Sequence, residues 1–159
     1  MYHHLAMGVA ITQTASIEIQ ASPETVRSIF LDFARYNHWQ DVFDIQPATT
    51  GQSPVDLKKG DNLRVNMQGF TFRPHIEANA QDVFTWVGSI PPLLWGTHHF
   101  LFTPSTETPG GTTFVQREDF EGLLAVPFWP WRHSFKPSEP WARFNAGLKR
   151  EAERVSGRG

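Results

Sequence analysis

The sequence predicts an α+β domain in which a curved antiparallel sheet wraps around a long C-terminal helix. Alternation of apolar and polar residues, the period of a strand, recurs through the middle of the chain. A short helix pair is expected after the first strand, and the last predicted element is a long amphipathic helix. Runs of antiparallel strands with helices packed on one side are typical of the α+β class.

The composition is that of a globular protein with an aromatic interior. The chain has 159 residues, of which 40% are hydrophobic, and it contains 13 Phe and 6 Trp against only 2 Tyr. Rings without hydroxyl groups suit an apolar core or cavity. The formal net charge is −2 and no run of Lys and Arg is present, which argues against binding to nucleic acid.

The absence of cysteine, the lack of a long apolar run and the N-terminal residues narrow the expected class of protein further. Cysteine is absent from the sequence, which excludes disulfides and thiolate metal ligands. No apolar run approaches the roughly 20 residues that span a bilayer, and the N-terminus lacks the pattern of a signal peptide. We therefore expect a cytoplasmic protein with no membrane span, a flexible N-terminal tail at 1–11 and a single domain at 12–156.

The first predicted elements are a strand and a helix. Apolar and polar residues alternate at 12–20, which predicts the strand. Ser22 is expected to cap the following helix, with Pro23 at the first helical position. Apolar residues at helical spacing continue to Phe33, and a second short helical turn is expected at 35–39.

Further strands are predicted along the middle of the chain, at 42–50, 62–68, 71–79 and 83–90. The third of these contains Pro74, which has no N–H for a ladder and therefore favours a sheet edge or a bulge. The apolar stretch at 90–95, which includes two adjacent prolines, is expected to be a loop.

Residues 96–122 are predicted to form two long strands joined by a turn, around which the domain is organised. Alternate positions on the two apolar faces are occupied by His98, Phe100, Phe102, Phe114, Gln116, Glu118 and Phe120. These faces carry most of the apolar area and should point inward, which brings His98 and Glu118 inward as well. A turn centred near residue 108 places His98 opposite Glu118.

The C-terminal part contains an irregular segment and a helix. Residues 126–140 are rich in aromatic side chains and are broken by four prolines, so no continuous helix is expected there. We expect this segment to form an entry gate or its rim, to which Trp129 and Trp131 contribute. Apolar residues at helical spacing predict the long amphipathic helix at 141–155.

Short motifs occur in this chain in the order found in a known superfamily. They are IEIQASPETV at 17–26, YNHW at 36–39, KKGDNLRV at 58–65, FRPHI at 72–76, FTWVG at 84–88, GTHHFLFTP at 96–104, GGTTFVQREDFEGLL at 110–124 and ARFNAGLKREAE at 142–153. By their order the chain resembles the START-like or SRPBCC superfamily, in its polyketide cyclase/dehydrase and lipid transport subgroup. The resemblance extends over 12–156 and implies the helix-grip fold.

The resemblance also implies a deep cavity between the sheet and the C-terminal helix. Such a cavity would bind a hydrophobic small molecule, such as a lipid, a polyketide or another secondary metabolite. The residues expected to contact that ligand are Phe72, Phe84, Trp86, Trp95, Phe100, Phe102, Phe114, Gln116, Phe120, Trp129, Phe144 and Leu148.

Three functions are compatible with such a domain. The protein is a carrier or sensor of the ligand, or it is a cofactor-independent cyclase, dehydratase or isomerase that uses the same cavity. The third possibility is a dimerising or chaperone-binding module without a ligand. Superfamily membership does not decide among them, because one fold hosts many functions. The oligomeric state is open.

His98 and Glu118 are the candidate catalytic residues. No G-x-S-x-G, H-E-x-x-H or P-loop motif is present, and the adjacent His98 and His99 face opposite sides of a strand, so no metal site or cofactor is expected. The pair could move a proton or anchor a ligand, or it could be a cross-strand pair that satisfies itself. Burial raises the pKa of a Glu and lowers that of a His, whereas a close partner has the opposite effect.

Overall fold

The protein is described by a computed structural model at residues 11–90, 94–122 and 139–157. In these ranges, eight strands and two α-helices form an α+β domain with the helix-grip arrangement, which confirms the predicted fold class. The strands are β1 (Ile11–Ile19), β2 (Phe43–Pro47), β3 (Leu63–Met67), β4 (Phe70–Phe72), β5 (His75–Asn79), β6 (Val83–Ile90), β7 (Leu94–Pro104) and β8 (Thr112–Glu121). The helices are α1 (Pro23–Leu31) and α2 (Glu139–Val155).

Helix α1 starts as its sequence predicts. The hydroxyl of Ser22 accepts a hydrogen bond from the backbone N–H of Thr25 at 3.2 Å, and Pro23 is the first helical residue. A 3-10 helix follows at Phe33–His38 and completes the expected helix pair. The structure places Ile11 in β1, opposite Phe120, and the division into tail and domain otherwise stays a prediction.

The described antiparallel strands form two sheets, which are connected by a bridge. Five strands lie in the order β1-β8-β7-β6-β5, and three lie in the order β2-β3-β4. The single strand predicted at 71–79 is wrong, because its two halves are β4 and β5, which belong to different sheets. Pro74 lies between them and cannot donate to a ladder, so the chain changes sheet at that point. Its carbonyl accepts a hydrogen bond from Leu63, and Asn62 bridges to His75.

The predicted loop at 90–95 is also wrong in part. Strands β6 and β7 pair as far as Ser89 with Trp95 and Ile90 with Leu94, so only residues 91–93 lie outside the described part of this hairpin. The backbone N–H and C=O groups of β6 need hydrogen-bond partners as far as Ile90, and pairing with Leu94 and Trp95 provides them.

Strands β7 and β8 have the predicted register. His98 lies opposite Glu118, Phe100 opposite Gln116 and Phe102 opposite Phe114. A slip by one residue would turn every one of these side chains to the other face, so burial of the phenylalanines fixes the pairing.

The core is an aromatic cluster centred on Phe30 of α1. Its ring centroid lies 4.7 Å from that of Phe100, 5.3 Å from Phe102 and 5.4 Å from Phe84, and all four rings are fully or almost fully buried. Helix α2 closes this cluster with Phe144, Leu148 and Ala152, none of which is exposed. Within the described ranges, no helix is both long and apolar enough to cross a membrane.

The 3-10 helix and α2 approach each other closely at one glycine. A Cβ atom at Gly147 would lie only 2.6 Å from the carbonyl oxygen of Trp39, so no larger residue fits there without displacement. The Trp39 ring packs on Phe144 and Tyr36 at centroid distances of 5.2 and 4.9 Å. Trp39 is thus part of the packing between the 3-10 helix and α2.

Candidate functional site

An open pocket lies at one end of the inner face of the five-stranded sheet, beneath the β3–β4 hairpin. Its volume is about 230 Å³, and it is lined by Met67, Phe70, Phe72, Trp86, Gly88, Ser89, Gly96, Glu118 and Phe120. We call it the inner-face cavity. Ligand pockets usually have volumes of roughly 300 to 1,000 Å³, so the described walls fit a small ligand or one end of a larger one.

Two glycines make this space. Gly88 of β6 and Gly96 of β7 are register partners, and both occupy positions that point to the inner face. A Cβ atom at Gly96 would lie 2.9 Å from Oε1 of Glu118, and one at Gly88 would lie 3.6 Å from the ring of Phe72. Neither glycine was among the residues predicted from the sequence to form a site. Glycine inside a predicted strand is the signal that would have found them, since it marks a close approach or an open space.

His98 lies directly behind the cavity and is almost fully buried. Its ring stacks on Phe100 with a centroid distance of 4.2 Å and an interplanar angle of 12°. Trp141 and Trp86 cover the same ring at 4.8 and 5.4 Å. The imidazole is therefore held in one orientation by aromatic contacts.

A hydrogen-bonded relay fixes the tautomer of this histidine. The Gln116 amide nitrogen donates to Oδ1 of Asn145 at 2.6 Å, which leaves its carbonyl oxygen as the acceptor for Nε2 of His98 at 3.1 Å. Nε2 therefore carries the hydrogen, and Nδ1 presents a lone pair. Asn145, which no sequence pattern singled out, anchors the relay from α2.

Glu118 lies between His98 and the cavity. Its Oε2 atom is 4.0 Å from Nδ1 of His98, and its side chain keeps 21% of its exposure. Burial, reinforced by the nearby negative charge of Asp119, raises the pKa of Glu118 to about 7. Burial also lowers the pKa of His98 to about 3, against the opposing effect of its hydrogen bond to Gln116 and with a smaller lowering contribution from His99.

Burial thus outweighs pairing at both residues. His98 is neutral at physiological pH, and Glu118 titrates near neutrality, so the two do not form an ion pair. The separation of 4.0 Å is too long for a direct hydrogen bond, and the pair does not satisfy itself. The arrangement instead offers one exchangeable proton on Glu118 at the edge of an apolar space.

The residues predicted to contact a ligand occupy different environments. Phe72, Trp86 and Phe120 line the inner-face cavity. Fully or almost fully buried positions in the aromatic cluster or against it are occupied by Phe84, Phe100, Phe102, Phe114, Phe144 and Leu148. Gln116 is committed to the relay, and Trp95 is 38% exposed. Contact with a ligand stays a prediction for all of these residues.

The cavity differs in position from the one expected between the sheet and the C-terminal helix. No residue of α2 lines it, because Phe144 and Leu148 pack directly onto the aromatic cluster. Trp129 and the predicted gate at 126–140 lie outside the described residues, except for Glu139 and Pro140 at the start of α2. Their role stays a prediction.

His99 faces the side of the sheet opposite to His98, as predicted from the adjacent positions of the two residues on one strand. Its Nδ1 atom lies 3.0 Å from the hydroxyl of Thr85, and its Nε2 atom lies 3.5 Å from Oδ2 of Asp119. Asp119 also accepts hydrogen bonds from Thr12 and Arg117. Among the residues that the structure describes, no group of His, Cys, Asp and Glu has an arrangement suited to a metal ion.

A larger hollow runs along the 3-10 helix and β2, away from the inner face. It measures about 730 Å³, and much of its lining is polar, including Asn37, Gln40, Asp41 and Asp44. Both of these carboxylates are on exposed residues, so the described lining of the hollow has no buried carboxyl group comparable to Glu118 of the inner-face cavity.

A curved antiparallel sheet closed by a C-terminal helix defines the helix-grip fold. The family described as polyketide cyclase / dehydrase and lipid transport matches residues 10–153. The chain therefore belongs to this family, and the START-like resemblance of its sequence is confirmed. No curated protein sequence matches the chain.

Solved structures share the fold at low identity. A START superfamily protein from Mycobacterium smegmatis has 19% identity and a TM-score of 0.62 over 91% of this chain and 98% of that one. The aromatase/cyclase Zhui from Streptomyces sp. R1128 has 12% identity and a TM-score of 0.62 over 91% and 94%. A hypothetical protein from Helicobacter pylori has 12% identity and a TM-score of 0.67 over 91% and 89%.

Proposed function

We propose that the protein binds a hydrophobic small molecule in the inner-face cavity, as a carrier or sensor. The observation that carries this proposal is the cavity itself, about 230 Å³ in volume, with mostly apolar walls and one carboxyl group. Apolar walls with few polar groups are typical of small-molecule sites. Membership of a family that includes lipid transport supports the same class of function.

A cytoplasmic location and the absence of a nucleic-acid partner are supported by the sequence, with its net charge of −2 and its lack of cysteine. No cofactor is needed, because ligand binding requires only the cavity and its polar group.

Uptake of the uncharged dye N-phenyl-1-naphthylamine tests the proposal. Its fluorescence should rise on binding to the wild-type protein and should stay low with Gly88→Leu, whose side chain would fill the cavity. The backbone at Gly88 is not in the left-handed region, so leucine is compatible with the strand. Val87→Leu, on the opposite face of the same strand, is the matched control and should bind like wild type. Equal uptake by both variants would place the ligand site elsewhere.

A cofactor-independent enzyme of secondary metabolism is the second candidate. The observation that favours it is Glu118, whose pKa of about 7 suits a group that takes and returns a proton near neutral pH. In an isomerisation, the carboxylate would remove a proton from the carbon beside a carbonyl and return it to another atom of the resulting enolate, so that no net proton is gained or lost. Cyclisation and dehydration of keto compounds begin with the same proton removal.

Hydrogen–deuterium exchange separates the carrier from the enzyme. The methyl protons of 2-acetylnaphthalene should exchange with D₂O faster than in buffer if Glu118 transfers protons, as NMR would show. Glu118→Gln should abolish this exchange while binding of N-phenyl-1-naphthylamine persists. Exchange at the buffer rate, with the ketone bound, would favour the carrier.

A further inference from the structure

The charges around the inner-face cavity are distributed unevenly. Glu118 is the only titratable side chain among the described residues of its lining. The aromatic and thioether side chains from β3, β4 and β6 are uncharged, and the register partner on β1 is the neutral Gln13. The neighbours of Glu118 along β8 are Arg117 and Asp119. Both point to the opposite face of the sheet, where they bind each other at 3.1 Å.

Within the described part of the chain, no positive charge lies behind Glu118 either. The relay from Asn145 through Gln116 occupies Nε2 of His98, so the atom that faces Glu118 is the lone pair on Nδ1, 4.0 Å away. Trp141 covers the same ring from α2 and is uncharged. A lone pair and an ionised carboxyl group both repel a bound anion, whereas a protonated carboxyl group donates a hydrogen bond to a neutral oxygen.

We propose that the inner-face cavity accepts uncharged carbonyl compounds and rejects carboxylates, and that Glu118 is the residue that makes this distinction. A ketone or aldehyde oxygen accepts the proton of Glu118 without adding charge. A ligand carboxylate in the same place meets a second carboxyl group, and two such groups can share the site only by sharing a proton. This inference rests on the proposed function and names its class of ligand.

Discrimination of this kind works by repelling the wrong ligand. Apolar walls alone would bind the hydrocarbon part of a fatty acid and of a neutral ketone equally well. A buried polar group left without a suitable partner is costly, so one carboxyl group in an apolar cavity is enough to separate the two classes. The glycine at position 96 brings the carboxyl group to the wall, because a Cβ there would lie 2.9 Å from Oε1 of Glu118.

The test compares two probes of nearly the same shape. 2-Acetylnaphthalene and 2-naphthoate differ only in a methyl group or a charged oxygen on the same carbonyl carbon. Equilibrium dialysis against the full chain near neutral pH should give a dissociation constant at least roughly tenfold lower for the ketone, the size of effect expected when a carboxylate approaches a second carboxyl group.

Two variants test whether Glu118 causes the preference for the ketone over the carboxylate. Glu118→Gln keeps a donor for the ketone and removes the charge, so ketone binding should persist and the preference should shrink to within about threefold. Glu107→Gln removes one exposed negative charge from the β7–β8 turn and should keep the wild-type preference. Circular dichroism of each variant confirms that the fold is intact before binding is compared.

The outcomes separate this inference from the proposed function. Equal affinities for both probes in the wild type, or an unchanged preference in Glu118→Gln, would overturn the inference and leave the cavity as a ligand site. The same holds if N-phenyl-1-naphthylamine binds and the ketone does not. If no uncharged probe binds, the proposed function fails, and the inference fails with it.

Discussion

His98 and Glu118 lie on one rung of the β7–β8 ladder, with Nδ1 and Oε2 4.0 Å apart. Both are neutral in the folded protein near pH 6, because burial moves their pKa values to about 3 and about 7. A pair with the same residues on a protein surface would be an ion pair at that pH. Folding therefore shifts the two pKa values in opposite directions, so the two residues make the free energy of unfolding depend on pH in opposite ways.

Glu118→Gln should stabilise the protein at high pH and leave it unchanged at low pH. The folded-state pKa of Glu118 is about 7 against an ordinary value of 4.5, so unfolding releases a proton in that window and stability falls as pH rises through it. Removing the carboxyl group should restore up to about 3 kcal/mol near pH 8, since each pKa unit corresponds to about 1.4 kcal/mol. Urea unfolding of both proteins at a series of pH values measures this. A gain independent of pH would contradict it.

His98→Gln should show the opposite dependence. The pKa of His98 falls from 6.5 to about 3 on folding, so unfolding takes up a proton between these values and stability falls as pH drops. The variant loses the ring contacts and should be less stable than wild type near pH 7, but this deficit should shrink as the pH falls below about 6.5. Urea unfolding at the same series of pH values measures this deficit. A deficit that grows toward low pH would show that His98 is charged in the folded protein.

Phe30→Ala should be the most damaging single truncation in the core. The ring is unexposed and lies within 5.4 Å, centroid to centroid, of Phe84, Phe100 and Phe102. Truncating a buried phenylalanine costs about 3 to 5 kcal/mol, because packing is lost and a cavity remains. Phe70→Ala, at a residue that is 60% exposed, is the control and should cost less than about 1 kcal/mol. Similar losses from both would place the core elsewhere.

Asn145→Ala should destabilise the relay as well as α2. Without Oδ1, the buried Gln116 amide nitrogen loses its acceptor, and an unsatisfied buried donor costs about 1 to 3 kcal/mol. Asn37→Ala, at an exposed residue of the 3-10 helix, should stay within about 0.5 kcal/mol of wild type. NMR of the His98 ring should also report the change, because its Nε2–H partner moves. An unchanged His98 spectrum would mean that the relay does not fix the histidine.

The sequence predicted the features that depend on periodicity. The inward faces of β7 and β8, their register and the cap at Ser22 all follow from alternation, spacing and turn chemistry within short stretches. The change of sheet at Pro74 was missed, because alternation continues across the proline and only the path of the chain shows that β4 and β5 part.

The site was predictable only in part, for physical reasons. Inward positions on a strand do not tell whether a ring fills a core or lines a space, and the decision depends on which element lies opposite. Phe30 of α1 fills one end of the inner face, whereas Gly88 and Gly96 leave the other end open. The balance of burial against pairing at Glu118 likewise depends on three-dimensional surroundings that one strand does not specify.

Native mass spectrometry of freshly purified protein tests the central claim most directly. The wild-type protein should carry a noncovalent hydrophobic compound that is released on denaturation, and Val87→Leu should carry the same mass. Gly88→Leu, with the cavity filled, should appear only at the mass of the bare chain. A bare wild-type chain that also fails to retain added N-phenyl-1-naphthylamine, or an adduct that Gly88→Leu retains in full, would contradict a ligand site in the inner-face cavity.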